Sequence, residues 1–291
     1  MEEYVVFNGQ VMEKEQVVIN YEDRGYQFGD GIYEVIRVYN GKLFTAKEHL
    51  QRLEASARKI KMEIPYSIEQ IEEFCIQLVE KNKIVDGIVY MQITRGVAPR
   101  NHTFSQEMEP TFLANTKKLA RPIEKIEKGV KTVLHEDIRW LLCDIKSLNL
   151  IGNVLAKQAA HEAGCYEAVQ HRGDIVTECG ASNIAIIKDN KLITHPANNL
   201  ILNGITRQVV LKLCRENGIA VEERPFTVEE LIHADEAFAL GTTTEVAPIL
   251  KVSEHEIANG VIGPVTRKIQ QLFEAEIQAQ CYHKTLEVMI G

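Results

Sequence analysis

The segment from residue 138 to residue 149 reads Ile138-Arg-Trp-Leu-Leu-Cys-Asp-Ile-Lys-Ser-Leu-Asn149, an apolar run that gives way to the start of an amphipathic helix. Because the side chains of a strand alternate between its faces, the pattern predicts that Lys146 shares a face with Trp140 and Leu142. An ammonium group on such an apolar face is costly unless its pKa falls or a reaction consumes it. A lysine so placed can act as a neutral amine and form a Schiff base, although it can also extend outward to solvent at the strand end.

The composition is that of an ordinary globular protein. A chain of 291 residues can bury a large core, most simply in two domains, and 45% hydrophobic with 25% charged residues is typical of this class. The net charge of −8 argues against nucleic acid or an anionic membrane as the main partner. We expect no transmembrane helix and no signal peptide, since long apolar runs are missing and the start, Met1-Glu-Glu, is acidic.

The cysteines and histidines are spread along the chain. The six cysteines form no CxxC pair, which fits the reduced thiols of a cytoplasmic protein. The nine histidines form no HExxH or similar cluster. The sequence therefore predicts a cytoplasmic protein without a metal site.

Residues 1–120 are predicted to form a smaller domain that mixes strands with two helices. Period-two patterns and turn signals predict strands at residues 4–7, 17–19, 32–39, 42–45, 87–95 and 111–115. Apolar spacing and a proline between them predict helices at residues 47–61 and 67–82. Residues 117–125, which include Arg121-Pro122, are the best candidate for a linker.

Residues 121–291 are predicted to form the larger domain. The same signals predict strands at residues 130–134, 138–142, 166–170, 174–177, 183–187, 191–194 and 236–240. Helices are predicted at residues 148–163, 205–217 and 265–279. Grouped strands mixed with helices favour an α+β fold over regular βαβ alternation. For the last dozen residues the sequence leaves disorder and a role in contacts equally open.

Two segments after Lys146 carry further polar groups. Glu178 opens the small-residue segment Glu178-Cys-Gly-Ala-Ser-Asn183, where a carboxylate can meet a cationic ring nitrogen, or can be a solvated turn residue. Leu202-Asn-Gly-Ile-Thr-Arg207 enters a helix through a glycine, so free amides and a hydroxyl make a ready anion site. The alternative is that Thr206 is an ordinary N-cap.

Other candidates lie on loops and on a helix surface. Gly241-Thr-Thr-Thr244 can supply phosphate donors at the end of a strand, or form only a turn. Arg52 can pair with a phosphate, or be a surface arginine. Arg100 and His102 stand two apart in an extended loop and can clamp a carboxylate, or both face solvent. Together, these groups are the parts that a pyridoxal phosphate enzyme needs: an amine, an acid for the ring nitrogen, phosphate donors and a carboxylate clamp.

The order of these segments resembles the class IV (fold-type IV) pyridoxal-phosphate aminotransferases, and within that family the members specific for D-amino acids. The resemblance covers nearly the whole chain. It rests on the segments Glu22-Asp-Arg-Gly-Tyr-Gln-Phe-Gly-Asp-Gly-Ile-Tyr-Glu34, Thr94-Arg-Gly-Val-Ala-Pro-Arg-Asn-His102, Cys143-Asp-Ile-Lys-Ser-Leu-Asn149, Thr177-Glu178 through Asn183, and Gly204-Ile-Thr-Arg207.

The resemblance implies a role for each matching residue. Lys146 forms the Schiff base with pyridoxal 5'-phosphate and moves the proton, and Glu178 binds the ring nitrogen. Leu202 packs against the ring. The phosphate is held by Arg52, Ile205, Thr206, Gly241 (through its amide) and Thr242.

The resemblance also implies how substrate is bound and how the protein assembles. Tyr33, Arg100 and His102 look like the carboxylate trap of the D-specific enzymes. The loop with Arg100 and His102 then comes from the other subunit, which implies a homodimer with the cofactor between the two domains of each chain. Three departures from the family pattern are Cys179 beside Glu178, Ala185 in place of an aromatic residue, and Gly241 in place of a serine.

The implied reaction is a ping-pong transamination from a D-amino acid, such as D-alanine, to a 2-oxo acid, such as 2-oxoglutarate. Three alternatives stay open. A branched-chain L-amino acid aminotransferase is expected to lack the Arg-x-His pair, and an aminodeoxychorismate lyase uses the same lysine for elimination. A non-catalytic carboxylate- or phosphate-binding module belongs to a different class, in which Lys146 is only structural.

Overall fold

The first half of the chain folds into an antiparallel sheet with helices on one face. The computed structural model describes residues 3–105 and 107–282, so most of the last dozen residues lie outside the described residues. The strand order is β2-β1-β6-β5-β3-β4. The strands are β1 (Tyr4–Phe7), β2 (Gln10–Glu13), β3 (Gly31–Tyr39), β4 (Lys42–Leu43), β5 (Gly87–Thr94) and β6 (Thr111–Lys118). The helices are α1 (Arg24–Phe28), α2 (Ala46–Lys59) and α3 (Ile68–Lys81), with a 3-10 turn at Lys14–Gln16.

The residue pattern explains this sheet and its helices. Val89, Met91 and Ile93 alternate along β5, and all three are fully buried against the helices. Helix α3 begins at a capping box in which Ser67 and Gln70 satisfy each other's backbone amides. Tyr33 of β3 lies on the opposite face, where its ring contacts Lys146 of the second half of the chain.

The second half forms a larger, mixed sheet of order β12-β11-β10-β14-β15-β7-β8-β9-β13, with β16 added to β15. Its strands are β7 (Val130–Glu136), β8 (Glu167–Arg172), β9 (Ile175–Cys179), β10 (Asn183–Lys188), β11 (Lys191–Thr194), β12 (Ala220–Glu223), β13 (Phe226–Thr227), β14 (Glu236–Gly241), β15 (Glu245–Val252) and β16 (His255–Glu256). Its helices are α4 (Ile123–Lys128), α5 (Ile151–Glu162), α6 (Ile205–Glu216), α7 (Val228–Ile232) and α8 (Pro264–Ile277), with a 3-10 turn at Ala258–Gly260 and a π-helical turn at Gln278–Tyr282. The α+β fold is confirmed.

The two halves share residues at their boundary. Ile145 packs in the core of the first sheet, whereas Tyr39 and Phe44 pack in the core beside α8. The expected linker is shorter than predicted, because β6 runs to Lys118 and α4 begins at Ile123. The division into domains 1–120 and 121–291 stays a prediction.

Two predicted strands are wrong. Residues 17–19 form no strand, and β2 at Gln10–Glu13 pairs with β1 instead, because the turn at Asn8-Gly9 returns the chain at once. Residues 138–142 are irregular: Trp140 and Leu142 are 42% and 48% exposed, so neither shares a buried face with Lys146. Strand β15 escaped prediction because it contains Pro248, a residue that normally argues against a central strand.

Within the described residues, the helices are all too short or too polar to cross a bilayer.

Candidate active site

A cavity of about 490 Å³ lies where the two halves of the chain meet, and we call it the Lys146 cavity. This volume is in the range of sites for small molecules and cofactors. Most of the predicted site residues line it together: Tyr33, Arg52, Lys146, Glu178, Leu202, Ile205, Thr206, Gly241 and Thr242. Residues far apart in the sequence thus converge on one cavity.

Lys146 is positioned by pairing with the other half of the chain. The amide of Tyr33 donates to the carbonyl of Lys146 at 3.0 Å, and Ser147 forms an isolated antiparallel bridge with Ile32. The amide of Ser147 donates to the carbonyl of Ile145 at 2.8 Å, which closes a tight turn around Lys146, and both of these neighbours are buried. The Nζ of Lys146 lies 4.0 Å from the centre of the Tyr33 ring, on the cavity wall. Burial thus alternates over residues 145–147 although they form a turn, whereas residues 138–142 are mostly exposed.

Glu178 is buried near the end of β9 rather than in a solvated turn. Its carboxylate accepts hydrogen bonds from Asn183 Nδ2 at 2.8 Å and from the amide of Leu202 at 3.2 Å, and it contacts the Arg139 guanidinium. Burial raises the pKa of Glu178, and the charge of Arg139 opposes that rise. A carboxylate held in this way can accept a hydrogen bond from a group in the cavity.

The first turn of α6 presents backbone amides to the cavity. Its N-cap is Gly204, which has no side chain to satisfy them, so Thr206 is not the N-cap. A Cβ atom at Gly204 would lie 2.1 Å from Asn183 Oδ1, so only glycine lets the segment approach this closely. Ile205 and Thr206 line the cavity beside Thr242, and together they offer donors for an anion.

Arg52 reaches the same end of the cavity and is held by a buried pair. Its Nε and Nη2 donate to the two oxygens of Glu34 at 2.7 and 3.0 Å, and its Nη1 donates to the carbonyl of Asn203 at 3.0 Å. His49 Nδ1 lies 2.8 Å from the same carboxylate. A guanidinium has five N–H donors, so two of those of Arg52 are left for an anion in the cavity.

Arg100 and His102 lie apart from the cavity of their own chain. Both are exposed, Arg100 Nη1 donates to the carbonyl of Gln27 at 3.2 Å, and its guanidinium lies 4.3 Å from the centre of the Phe28 ring. The His102 ring is 5.5 Å from the same phenyl ring. The structure therefore keeps these two side chains together without bringing them to Lys146.

The departures from the family pattern differ in importance. Ala185 is buried in the core beside α8 and does not line the cavity. Cys179 does line it, but burial raises the pKa of its thiol well above the usual value, so it is a poor nucleophile. A Cβ atom at Gly241 would lie 3.2 Å from that of Ser182, so a serine here would be in tight contact with its neighbour.

Sequence reasoning missed three residues of the site: Arg139, Asn183 and Glu34. Asn183 stood in a quoted motif, and its pairing with Glu178 could have been inferred from the short spacing. The role of Arg139 depends on the irregular path of residues 138–142, and the prediction of a strand concealed it. Glu34 could not be identified, because nothing in the sequence shows that it meets His49 and Arg52.

The sequence model of the family described as amino-transferase class IV matches residues 31–252. The chain is similar to curated D-alanine aminotransferases. It is 50% identical to that of Staphylococcus epidermidis over 276 residues, 94% of this chain and 98% of the relative. It is 49% identical to that of Listeria monocytogenes over 280 residues, 95% of this chain and 97% of the relative.

Solved structures of branched-chain aminotransferases share the fold. The Escherichia coli enzyme superposes with a TM-score of 0.90 at 26% identity and covers 94% of each chain. The enzyme from Thermobaculum terrenum, solved in its pyridoxal phosphate form, gives a TM-score of 0.85 at 25% identity, over 96% of this chain and 95% of that one.

The donor set of the Lys146 cavity fits pyridoxal 5'-phosphate. An amine, a buried carboxylate and the free amides of a helix start line one space. The family model covers most of the chain, and relatives half identical to it extend over nearly its whole length. The chain belongs to the class IV aminotransferases, and pyridoxal 5'-phosphate is its cofactor.

Proposed function

We propose that the chain is a D-amino acid aminotransferase. It takes the amino group of D-alanine and other D-amino acids and passes it to a 2-oxo acid such as 2-oxoglutarate, in two half-reactions. The observation that carries the proposal is the convergence of Lys146 and Glu178 on one cavity in a chain half identical to curated D-alanine aminotransferases.

The side chains of the cavity have separate roles in this proposal. The bound cofactor supplies a carbonyl carbon for the amino group and a ring that withdraws electrons from the carbon losing its proton. Lys146 binds the cofactor covalently and carries the proton to and from the reacting carbons. Glu178 accepts a hydrogen bond from the ring nitrogen, and Leu202 packs against the ring. The phosphate is bound by Arg52, Ile205, Thr206, Gly241 and Thr242.

The substrate carboxylate is bound by Tyr33 of one chain and by Arg100 and His102 of a second copy. This part of the proposal is supported by the distance of the loop from its own cavity, since its contacts are with Gln27 and Phe28. Exposed apolar side chains beside the cavity, including Leu141 and Ile151, provide a surface for the second copy. The protein is then a homodimer, with the cofactor between the proposed domains 1–120 and 121–291.

We place the protein in the cytoplasm, with small molecules as substrates and neither nucleic acid nor membrane as partner. The cysteines are unpaired throughout the described residues, and several of them are buried. Unpaired thiols are usual in a reducing compartment.

The reaction is tested by comparing substrates. We expect 2-oxo acid formation from D-alanine, much less from L-leucine, and no product from aminodeoxychorismate, with all activity lost in Lys146→Ala. Borohydride treatment of the holoprotein followed by peptide mapping should attach the cofactor to Lys146. A preference for L-leucine would contradict the proposal, and so would a protein that stays colourless when pyridoxal phosphate is added.

The origin of the clamp is tested by complementation. Lys146→Ala and Arg100→Ala are each expected to abolish or strongly reduce activity with D-alanine. In a mixed dimer, the cavity of the Arg100→Ala chain keeps Lys146 and receives Arg100 from the other chain, so refolding the two variants together should restore activity. If the loop served its own cavity, the mixture would stay inactive. Arg58→Ala, on an exposed part of α2, is the control.

A further inference from the structure

Glu178 contacts a cluster of charged side chains through Arg139, which also lines the cavity. Of the groups that hold its carboxylate, the amide of Asn183 and the backbone of Leu202 are neutral, and only Arg139 carries a full charge. The Arg139 side chain is only 6% exposed. The ionisation of Glu178 therefore depends on one guanidinium group.

That guanidinium is held in place by Asp137. Nε and Nη2 of Arg139 donate to the two oxygens of Asp137 at 2.9 and 2.8 Å, a fork geometry that fixes the orientation of both groups. Asp137 has no exposed side-chain surface, and it also accepts hydrogen bonds from Arg172 at 3.0 Å and from Thr177 at 2.9 Å. Hydrogen bonds from β8 and β9 thus hold Asp137 in place, and Asp137 in turn holds Arg139.

Helix α5 leaves room for this arrangement. A Cβ atom at Gly152, in the first turn of α5, would lie 2.8 Å from Cγ of Arg139. The contact is with the near end of the side chain, so an alanine here would have to displace Arg139. Within a helix, alanine is otherwise more favourable than glycine by about 1 kcal/mol. Gly152 can therefore be used to move the guanidinium without changing any ionisable group.

The charged groups around Glu178 change its pKa. Burial raises the pKa of Glu178, Arg139 lowers it, and the negative charge of Asp137 raises it. The thiols of Cys143 and Cys179 also face this group, but burial raises the pKa of Cys143 to about 11 and that of Cys179 well above its usual value, so both are neutral. Without Arg139, nothing charged among these groups would oppose protonation of Glu178.

We propose that Arg139 and Asp137 are positioning residues for cofactor chemistry: Asp137 fixes the guanidinium, and the guanidinium holds Glu178 as a carboxylate facing the cavity. The inference rests on the proposed role of Glu178 as the partner of the ring nitrogen. A protonated Glu178 would present a donor where the ring nitrogen requires an acceptor. The bound cofactor would then withdraw electrons less well.

The test measures the ionisation of Glu178 directly in the holoprotein. The infrared band of a protonated carboxylic acid is followed against pH, and the spectrum of Glu178→Gln is subtracted to isolate this residue. In Arg139→Gln we expect the protonation midpoint to rise by about 1 to 3 pH units, the size of the effect of one close opposite charge. The visible absorption of the bound cofactor should shift over the same pH range.

Three further variants separate positioning from charge. Arg139→Lys keeps the charge without the fork, so its midpoint should rise less than that of Arg139→Gln. Gly152→Ala displaces the guanidinium without removing any charge, so it should also raise the midpoint. Asp137→Asn removes an anion, so a pure charge effect would lower the midpoint, whereas loss of the anchor for Arg139 would raise it.

The control and the contrary outcomes are distinct. Arg121, a partly buried arginine paired with Glu245 and Glu274, lies outside the cavity lining, and Arg121→Gln should lose stability without moving the midpoint. An unchanged midpoint in both Arg139→Gln and Gly152→Ala would overturn the inference, and a lower midpoint in Asp137→Asn would remove Asp137 from it. If Glu178→Gln itself leaves cofactor absorption and turnover unchanged, the proposed role of Glu178 has failed instead.

Discussion

Glu34 and Glu178 are both buried beside the Lys146 cavity, yet their pKa values move in opposite directions. Burial by itself raises the pKa of each, because it disfavours the charged form. At Glu34 the charges of Arg52 and His49 outweigh burial, and the pKa falls well below its usual value. At Glu178 the single charge of Arg139 does not, and the pKa stays raised.

The difference lies in how each arginine is shared. Arg52 binds Glu34 with two donors and gives its third contact to a neutral carbonyl group. Arg139 divides its charge between Glu178, which it contacts through one donor, and Asp137, with which it makes a two-donor fork. We infer that Glu34 is a permanent anion that fixes Arg52, whereas Glu178 is a carboxylate whose charge responds to its surroundings. One buried glutamate beside the cavity therefore fixes an arginine in place, and the other can change its charge.

The largest expected effect is on stability, in Glu34→Gln. The substitution keeps the shape but leaves Arg52 and His49 without their anion, and breaking a buried ion pair in this way typically costs about 3 to 5 kcal/mol. The free energy of unfolding from urea titration measures it. As a control, Glu54→Gln breaks the exposed pair with Arg58 on the same helix, and it should change stability by no more than about 0.5 kcal/mol. Similar losses in the two variants would show that Glu34 is not an anchor.

Local sequence patterns were enough to find the site residues that lie in short motifs. Lys146, Glu178 and the glycine entry to α6 were predicted from the sequence, and they line one cavity. The five longer helices, α2, α3, α5, α6 and α8, were predicted to within a few residues because their apolar positions repeat with the helical period, whereas the short helices α1, α4 and α7 were missed. The fold class followed from the order of these elements.

The ion pairs that hold Arg52 and Arg139 in place could not be predicted, because they depend on contacts between distant segments. Residues 138–142 have the composition of a strand, but their carbonyl groups are bound by side chains: Arg172 donates to Trp140, and Asn199 donates to Leu141. The pairing of Glu34 with Arg52 joins β3 to α2, and no local pattern encodes it. The clamp loop is a different case, since a single chain does not contain both sides of the proposed site.

The second prediction concerns how the stability contributed by Glu34 changes at acidic pH. A carboxylate whose pKa is lowered by folding stabilises the protein above its unfolded pKa, about 4.3 for glutamate, and that contribution is lost as the pH falls toward the folded pKa. The stability advantage of the unmodified protein over Glu34→Gln should therefore shrink below about pH 4.3, by up to about 1.4 kcal/mol per pH unit. Urea titrations at a series of pH values measure this difference. A constant difference down to the acid transition would mean that Glu34 is not held ionised.

The smallest effect on stability is expected in Glu178→Gln, although its effect on turnover should be large. The amide removes a buried charge that burial disfavours, and Arg139 keeps Asp137 as its partner, so the free energy of unfolding should change by about 1 kcal/mol or less. The sign of the pH dependence is opposite to that at Glu34: a raised folded pKa means that the unmodified protein loses stability as the pH rises from about 4.3. The variant should therefore gain relative stability over that range, as urea titrations at several pH values would show. A loss of unfolding free energy as large as that of Glu34→Gln would mean that both glutamates hold an arginine in place and that the two do not differ.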